Sequence, residues 1–201
     1  MSHDKHQEFF DSLAAEWDLM FTAEDLERLS HLVDDLGVTE GMNILDLGCG
    51  TGILFDILRR KVGQNGSVTG VDFSIKMAQK AYRNFPFANV NVVDADAIML
   101  PFADSTFDMA VAFSAFPHFS EQQKAIDEIH RVLKPKAKFY IIQLVSSKEL
   151  SELHHRIGGV VEHDEIPPAS RMREMLDTSK FTDSAIEDHP GLYLASAVNS
   201  K

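Results

Sequence analysis

The sequence predicts an α/β domain: a doubly wound, mostly parallel sheet of seven strands, mixed at one edge, with a helical cover at its N-terminal end. Three observations predict it. Short, nearly continuous apolar runs alternate with helical patterns between residues 43 and 145, as strands covered on both faces require. A glycine-rich turn, Gly48-Cys49-Gly50-Thr51-Gly52, joins the first run to the first following helix. The last two apolar runs are separated only by Pro190-Gly191, too short a link for parallel neighbours, so the last strand runs antiparallel.

The elements follow in order. Residues 1–40 read as the helical cover. Thr22 and Asp25 have capping-box spacing, Leu26, Leu29, Leu32, Val33 and Leu36 recur at helical spacing, and Gly37 ends the run. Upstream, Phe9, Phe10, Leu13 and Trp17 form a shorter apolar face, which suits either a cover over a sheet edge or a flap over a ligand pocket. Residues 43–145 are the core, with strands predicted at 44–47, 67–71, 90–93, 107–113 and 139–145. Helices are predicted from Ile53, over 75–82, and after Ser120, which caps with Gln123 in the capping-box position; Pro135 ends that last helix. Residues 146–168 are rich in His, Gly and Pro. They read as a lid or acceptor-binding insertion, a metal site built on His154, His155, His163 and Asp164, or a solvated connector. Residues 169–201 supply a helix carrying Met172, Met175 and Leu176, then the strand pair 181–186 and 192–198.

Composition narrows the function. A chain of 201 residues with 44% hydrophobic and 25% charged side chains is ordinary for a single globular domain, which excludes disordered and collagen-like chains. The 31 acidic and 19 basic residues give a net charge of −12, which repels phosphate backbones and anionic lipid and argues against nucleic acid or membrane as partners. No apolar run approaches the ~20 residues of a membrane span. The polar start MSHDKHQEFF lacks the apolar core of a signal peptide, and the single cysteine, Cys49, fits a reducing cytoplasm.

The chemistry centres on residues 44–52. Glycines at a strand-to-helix turn let backbone approach a ligand closely, and a helix N-terminus offers unpaired N–H groups. In open α/β sheets ligands bind at the carboxyl ends of the strands, where strand order reverses. A dinucleotide fingerprint places its third glycine where this chain has Ile53; here the glycines fall at 48, 50 and 52. That spacing argues against a pyrophosphate and so against a nicotinamide oxidoreductase. Asp72 closes the second strand, where a carboxylate can accept both hydrogen bonds of a ribose diol. The pair of signals points to a nucleoside.

With these motifs the chain resembles the class I S-adenosylmethionine-dependent methyltransferases, a Rossmann-like fold, and within them the small-molecule branch that includes the ubiquinone/menaquinone C-methyltransferases. The resemblance rests on Asp46 to Gly52, on Val68 to Ser74 with Lys76-Met77, and on Asp94-Ala95-Asp96-Ala97 followed by Leu100-Pro101-Phe102. It rests further on Ser105-Thr106-Phe107-Asp108, and on Glu128 with His130-Arg131-Val132-Leu133-Lys134-Pro135. It implies roles for matching positions. Asp46, with the backbone around Gly48, Cys49, Gly50 and Gly52, would hold the methionine part of S-adenosylmethionine. Asp72 would bind the ribose and Phe73 would pack on the adenine. Asp96 would accept from the adenine amino group, Ala97 would present its N–H, and Ser114 would lie near the sulfonium. Cys49 reads as packed rather than reactive, with no base or cation placed beside it. One departure stands out: the family's Gly-Gly after Lys-Pro is Lys136-Ala137 here, which should reshape that turn.

The acceptor side is read from Phe113-Ser114-Ala115-Phe116-Pro117-His118-Phe119. The segment lacks the Asn/Asp-Pro-Pro motif of amino-directed nucleic-acid methylases, the paired glutamates of arginine methylases and the metal-binding aspartate of catechol-type enzymes. What remains is a small, apolar or aromatic acceptor. His118, with an ordinary pKa of about 6.5, is the candidate base, against a surface or capping role. The rival to an enzyme is a protein that binds S-adenosylmethionine or S-adenosylhomocysteine without catalysis, as an accessory or sensor.

Overall fold

The computed structural model describes residues 2–201, with side chains from Lys5 onward. The strands are β1 (Asn43–Leu47), β2 (Ser67–Asp72), β3 (Val90–Asp94), β4 (Phe107–Phe113), β5 (Leu133–Gln143), β6 (Phe181–His189) and β7 (Leu192–Asn199). They form one sheet in the order β3-β2-β1-β4-β5-β7-β6, parallel except for β7, which lies antiparallel between β5 and β6. The helices are α1 (Ser2–Leu13), α2 (Ala23–Asp35), α3 (Phe55–Val62), α4 (Ile75–Asn84), α5 (Gln122–Val132), α6 (Ser147–Ile157) and α7 (Ala169–Thr178). No helix among the described residues is long and apolar enough to cross a membrane.

Alternation along the strands explains the two-sided core. Ile44 and Val111 face Leu29, Val33, Phe55 and Leu58 on one side of the sheet, while Leu45, Leu47 and Ala110 face Ile126, Ile129 and Met172 on the other. Each buried Leu, Ile or Phe contributes about 1.5–3 kcal/mol by leaving water. The outermost strand β6 is buried only at Phe181 and is otherwise partly or fully exposed, as an edge strand with a wet face is. Strand order reverses between β1 and β4, so the carboxyl ends of β1, β2 and β4 open one crevice.

The predicted boundaries shift in four places, each for a local reason. α3 starts at Phe55 rather than Ile53, because residues 51–54 stay in a turn held by Gly50 and Gly52. Ser120 does not cap α5. The cap is Glu121, without a side-chain bond, and Gln123 reaches instead to Met175 O (3.1 Å) and Ser179 Oγ (2.7 Å), tying α5 to α7. Strand β5 begins at Leu133, before Pro135: Leu133 pairs with Phe107, then the register jumps to Lys138 with Met109, so proline sits in a bulge where no ladder N–H is needed. It also ends at Gln143 rather than at residue 145.

The fourth shift is α6, inside the His/Gly/Pro-rich stretch. A reciprocal capping box starts it, with Ser146 Oγ accepting from the Glu149 N–H and Glu149 Oε2 accepting from the Ser146 N–H. A turn at Gly159–Val161 and a loop to Pro168 follow. The Thr22–Asp25 capping box of α2 is present as the spacing predicts. At Lys136, where the family has glycine, φ is +64°, so the turn keeps a left-handed shape with a residue that resists it.

Candidate active site

The turn after β1 is built by its glycines. Gly48 (φ +63°) lies against Ala115, where a Cβ would overlap the Ala115 methyl; Gly52 (φ +91°) lies under Phe55 and Phe85, where a Cβ would sit 2.8–2.9 Å from their rings. So Gly48 permits the approach of the β4 end, while Gly52 serves packing. The turn is pinned to the tip of β2. Asp72 Oδ2 accepts from the Gly50 N–H (2.7 Å) and Oδ1 from the Ser74 N–H (2.8 Å). Burial pushes the Asp72 carboxyl up to about 6, against the lowering pull of those two N–H groups.

Asp46 sits beneath the same turn, 2% exposed, and its Oδ2 has no hydrogen-bond partner among the described residues. Burial, with Asp72 nearby, pushes its carboxyl up to about 8. An unpartnered buried carboxylate oxygen is costly, and an ammonium is the partner that would satisfy it. Cys49 is buried in the hydrophobic cluster of α2 and α3, and burial pushes its thiol well up, which leaves it unreactive.

Two main cavities open from this crevice. A polar one of about 370 Å³ lies over the tips of β2 and β3, lined by Asp72, Phe73, Asp96, Ala97, Phe119 and Asp164, among others. Asp96 also closes its own turn, with Oδ1 accepting from the Ile98 N–H at 3.1 Å. The second cavity, about 270 Å³, is apolar. Phe9, Phe10, Leu13, Trp17, Leu150 and Val161 make much of its wall, with Ser114, His118, Gln143 and His154 as polar points. Between the two, space narrows to about 40 Å³ under Phe10 and Trp17 and about 10 Å³ beside Asp46, room for a few waters at most.

Ser114 and His118 stand where the spaces meet. Ser114 lines the apolar cavity and both narrow passages, and it does so in a left-handed conformation, φ +51°, that non-glycine residues seldom adopt. His118 lines the polar cavity, the apolar cavity and the passage between them. It is neither a surface nor a capping residue. Its Nδ1 is 2.7 Å from Asp164 Oδ2, and its ring meets Phe10 edge-on and His154 at a tilt. Burial lowers the His118 pKa more than Asp164 raises it, so the ring is neutral at pH 7. Asp164 in turn is pushed up by burial, but His118 and His6 outweigh this and hold it below the usual carboxylate range. The carboxylate accepts from Nδ1–H, which leaves the His118 Nε2 unprotonated.

Helix α1 and the residues after it cover the crevice. Ser74 Oγ donates to Asp11 Oδ1 (2.6 Å), Gln7 Nε2 to Phe73 O (2.9 Å) and Lys80 Nζ to Ala14 O (3.0 Å); Thr51 bonds Asp18, and His6 lies 3.0 Å from Asp164. Sequence reasoning missed these N-terminal partners and Gln143, and it named Asp164 only within the His-rich stretch, as a metal ligand or part of an acceptor-binding insertion. Each sits outside the motifs, and only the fold brings it in. Of the His-rich stretch, Asp164, His154 and His163 reach the cavities, yet among the described residues no group of three or more His, Cys, Asp or Glu is arranged to hold a metal.

Comparison with known proteins decides the family. A methyltransferase domain model matches residues 45–141. The ubiquinone/menaquinone biosynthesis C-methyltransferase UbiE of Citrobacter koseri is 30% identical over 199 residues, covering 90% of this chain and 75% of that one. The chain belongs to the class I S-adenosylmethionine-dependent methyltransferases. The 2-phytyl-1,4-naphtoquinone methyltransferase of Nostoc sp. is 39% identical over 110 residues, and there the chain spans 48% of its relative's length. A SAM-dependent methyltransferase from Aquifex aeolicus has the same fold, with a TM-score of 0.64 at 22% identity over 89% of this chain and 97% of that one. The cofactor of the family is S-adenosylmethionine, and the residues of this methyltransferase fit it. Asp46 offers an unpartnered carboxylate oxygen for the ammonium, and the polar cavity beside Asp72, Phe73 and Asp96 has the volume and donors and acceptors for an adenosine.

Proposed function

We propose that the protein transfers a methyl group from S-adenosylmethionine to a small hydroxylated aromatic acceptor of the quinol type. One observation carries the reading: His118 borders both the polar crevice and the apolar chamber, and Ser114 lines the chamber and the passage between them, so the two substrates would meet at these residues. S-adenosylmethionine supplies a sulfonium methyl group whose leaving group is a neutral thioether. In this reading Asp46 holds the ammonium, and Asp72 adds the ribose hydroxyls to the two backbone N–H groups it already accepts. Phe73 packs on the adenine, and Asp96 with the Ala97 N–H reads its edge. The backbone at Gly48, Cys49, Gly50 and Gly52 shapes the berth.

His118 Nε2 takes the proton of the acceptor hydroxyl, with Asp164 holding the ring in the tautomer that leaves Nε2 free. Loss of that proton turns the ring into a nucleophile; the carbon that gains the methyl group then gives up its own proton to solvent, and His118 returns the first proton to the ring oxygen. The phenylalanines and Trp17 exclude water around it, so positioning does much of the work. Phe10 and Trp17 must swing aside as the adenosyl group enters, because the passage under them is smaller than a ribose. We assign residues 1–40 as this cover, 43–145 as the cofactor core, 146–168 as the second wall of the acceptor chamber and 169–201 as the closing helix and strand pair. The exposed rim at Met20, Leu153 and Ile157 lets an apolar substituent of the acceptor leave the chamber, which suits the relatives named for naphthoquinones and ubiquinones.

The test is turnover of reduced naphthoquinones with radiolabelled methyl donor. His118→Ala is expected to lower kcat by about 10²–10⁴-fold and leave the affinity for S-adenosylhomocysteine within a factor of two. Tight product binding with no labelled acceptor from the unaltered protein would instead fit the sensor role and overturn the proposal.

A further inference from the structure

We infer that Gln143 is the acceptor-recognition residue of the apolar chamber, donating a hydrogen bond from its side-chain amide to an oxygen on the acceptor ring. The inference rests on the methyltransferase reading above but concerns a residue that none of the motifs includes. Gln143 ends β5, is 3% exposed, and lines the chamber that His118 and Ser114 also line. Its amide nitrogen is buried with no hydrogen-bond partner among the described residues. Leaving such a donor unpaired costs as much as losing a hydrogen bond, and native interiors seldom tolerate it without a reason. An apolar cavity with a few convergent polar groups is how small-molecule sites fix orientation. A chamber walled by Phe9, Phe10, Leu13 and Trp17 offers no other amide, so this group sets which oxygen-bearing ring is accepted.

The strand neighbour could be thought to own this donor. Tyr193 lies opposite Gln143 on β7, and its buried hydroxyl also lacks a partner among the described residues. As opposed residues of an antiparallel pair the two side chains share a face of the sheet, but Gln143 lines the chamber and Tyr193 does not. The two positions therefore separate by mutation.

The experiment uses the full chain saturated with S-adenosylhomocysteine and two probes of one shape, 1-naphthol and naphthalene, followed by calorimetry. The unaltered protein is expected to prefer 1-naphthol by about 5–10-fold, the worth of one net hydrogen bond. In a His118→Ala background, which removes the other partner proposed for the hydroxyl, Gln143→Leu, close in volume, is expected to abolish that preference to within a factor of two while binding naphthalene as before. Gln143→Leu alone, without probe, should melt at the same temperature or about 2–4 °C higher, because an unpaired buried amide is gone. Tyr193→Phe should keep the preference. Persistence of the preference in Gln143→Leu on the His118→Ala background, its absence in the unaltered protein, or an equal loss in Tyr193→Phe would each overturn the assignment. A fall in melting temperature with both probes weakened alike would make Gln143 a strand-packing residue. Turnover of reduced naphthoquinones by the unaltered protein reads the methyltransferase proposal separately, and titration of S-adenosylhomocysteine alone reads the cofactor berth, which does not include Gln143.

Discussion

The polar crevice and the apolar chamber meet at His118, yet they are built on opposite plans. The crevice is made of backbone turns and short acidic side chains fixed to strand tips: Asp72 holds Gly50 and Ser74, Asp96 holds Ile98, and each carboxylate is bonded within its own neighbourhood. The chamber is made mostly of apolar side chains gathered from α1 and the turn after it, the end of β5, α6 and Val161, stretches that lie far apart in sequence. The first plan gives a rigid, preorganised site for an unvarying ligand. The second gives a wall that can change its acceptor by changing a phenylalanine. The difference teaches that cofactor and acceptor binding should fail independently.

The sharpest way to break that separation is Asp72→Ala. It removes the acceptor proposed for the ribose and frees Gly50 and Ser74 from β2. Hydrogen bonds to a charged group are worth about 1.5–3 kcal/mol, so affinity for S-adenosylhomocysteine should fall by about 100-fold or more. Binding of a naphthol to the chamber should change less than threefold. Trp17, the only tryptophan, lines the chamber and both narrow passages, so its fluorescence reports both events. Equal loss of both ligands would show one site, not two.

Asp164→Asn tests the meeting point. The carboxylate fixes the His118 tautomer and raises its pKa against burial. An amide does neither, so kcat should drop about 10-fold at pH 7.5 with acceptor KM nearly unchanged. The sign of the pH effect follows from charge. Protonated His118 cannot act as base, so activity is lost as pH falls through its pKa, which lies below 6.5. Without Asp164 the imidazolium loses its counter-charge, the pKa drops further, and the acid limb of the pH–rate profile should move to lower pH.

Asp46 sharpens the crevice alone. Its carboxyl, pushed up to about 8 by burial, is protonated at pH 7, and an incoming ammonium should ionise it. Binding of S-adenosylmethionine at pH 7 should therefore release a proton, read as a binding enthalpy that depends on the buffer; Asp46→Asn should abolish the dependence. Stability gives a second readout. A folded pKa above the unfolded value of about 3.9 means stability that is present at low pH and lost as pH rises towards about 8. The melting temperature of Asp46→Asn should thus gain on the unaltered protein with rising pH over that window.

These two plans also explain what the amino-acid sequence disclosed. The crevice was legible because its parts are local: Asp46 to Gly52, Asp72-Phe73 and Asp96-Ala97 are contiguous runs at strand ends, and a parallel alternation brings those ends together. Ser114 and His118 were legible as the segment after β4. Asp164 was not, because its contact with His118 spans 46 residues and the loop between shows no periodicity. Gln143 ends an apolar strand and gives no signal until its unpaired amide is seen in a cavity wall. The α6 capping box at Ser146 and Glu149 was present in the sequence but hidden by the His, Gly and Pro composition around it.

The smallest effect is expected away from both cavities. Lys136 stands in the turn of β5 with φ +64°, a conformation that costs an ordinary residue about 1–2 kcal/mol and glycine almost nothing. Glycine gives part of that back through the extra freedom of the unfolded chain, about 0.5–1 kcal/mol. Lys136→Gly should therefore stabilise by about 0.5–1 kcal/mol, read as a rise of about 2 °C in Tm for a domain of this size. The turn lies at the opposite end of the sheet from the crevice, because β4 and β5 run parallel and Leu133 pairs with the first residue of β4. Affinity for S-adenosylhomocysteine and for 1-naphthol should both stay within a factor of two. A change in either would mean that β5 transmits strain along its length to Gln143, and that the chamber is less independent of the sheet than its scattered wall implies.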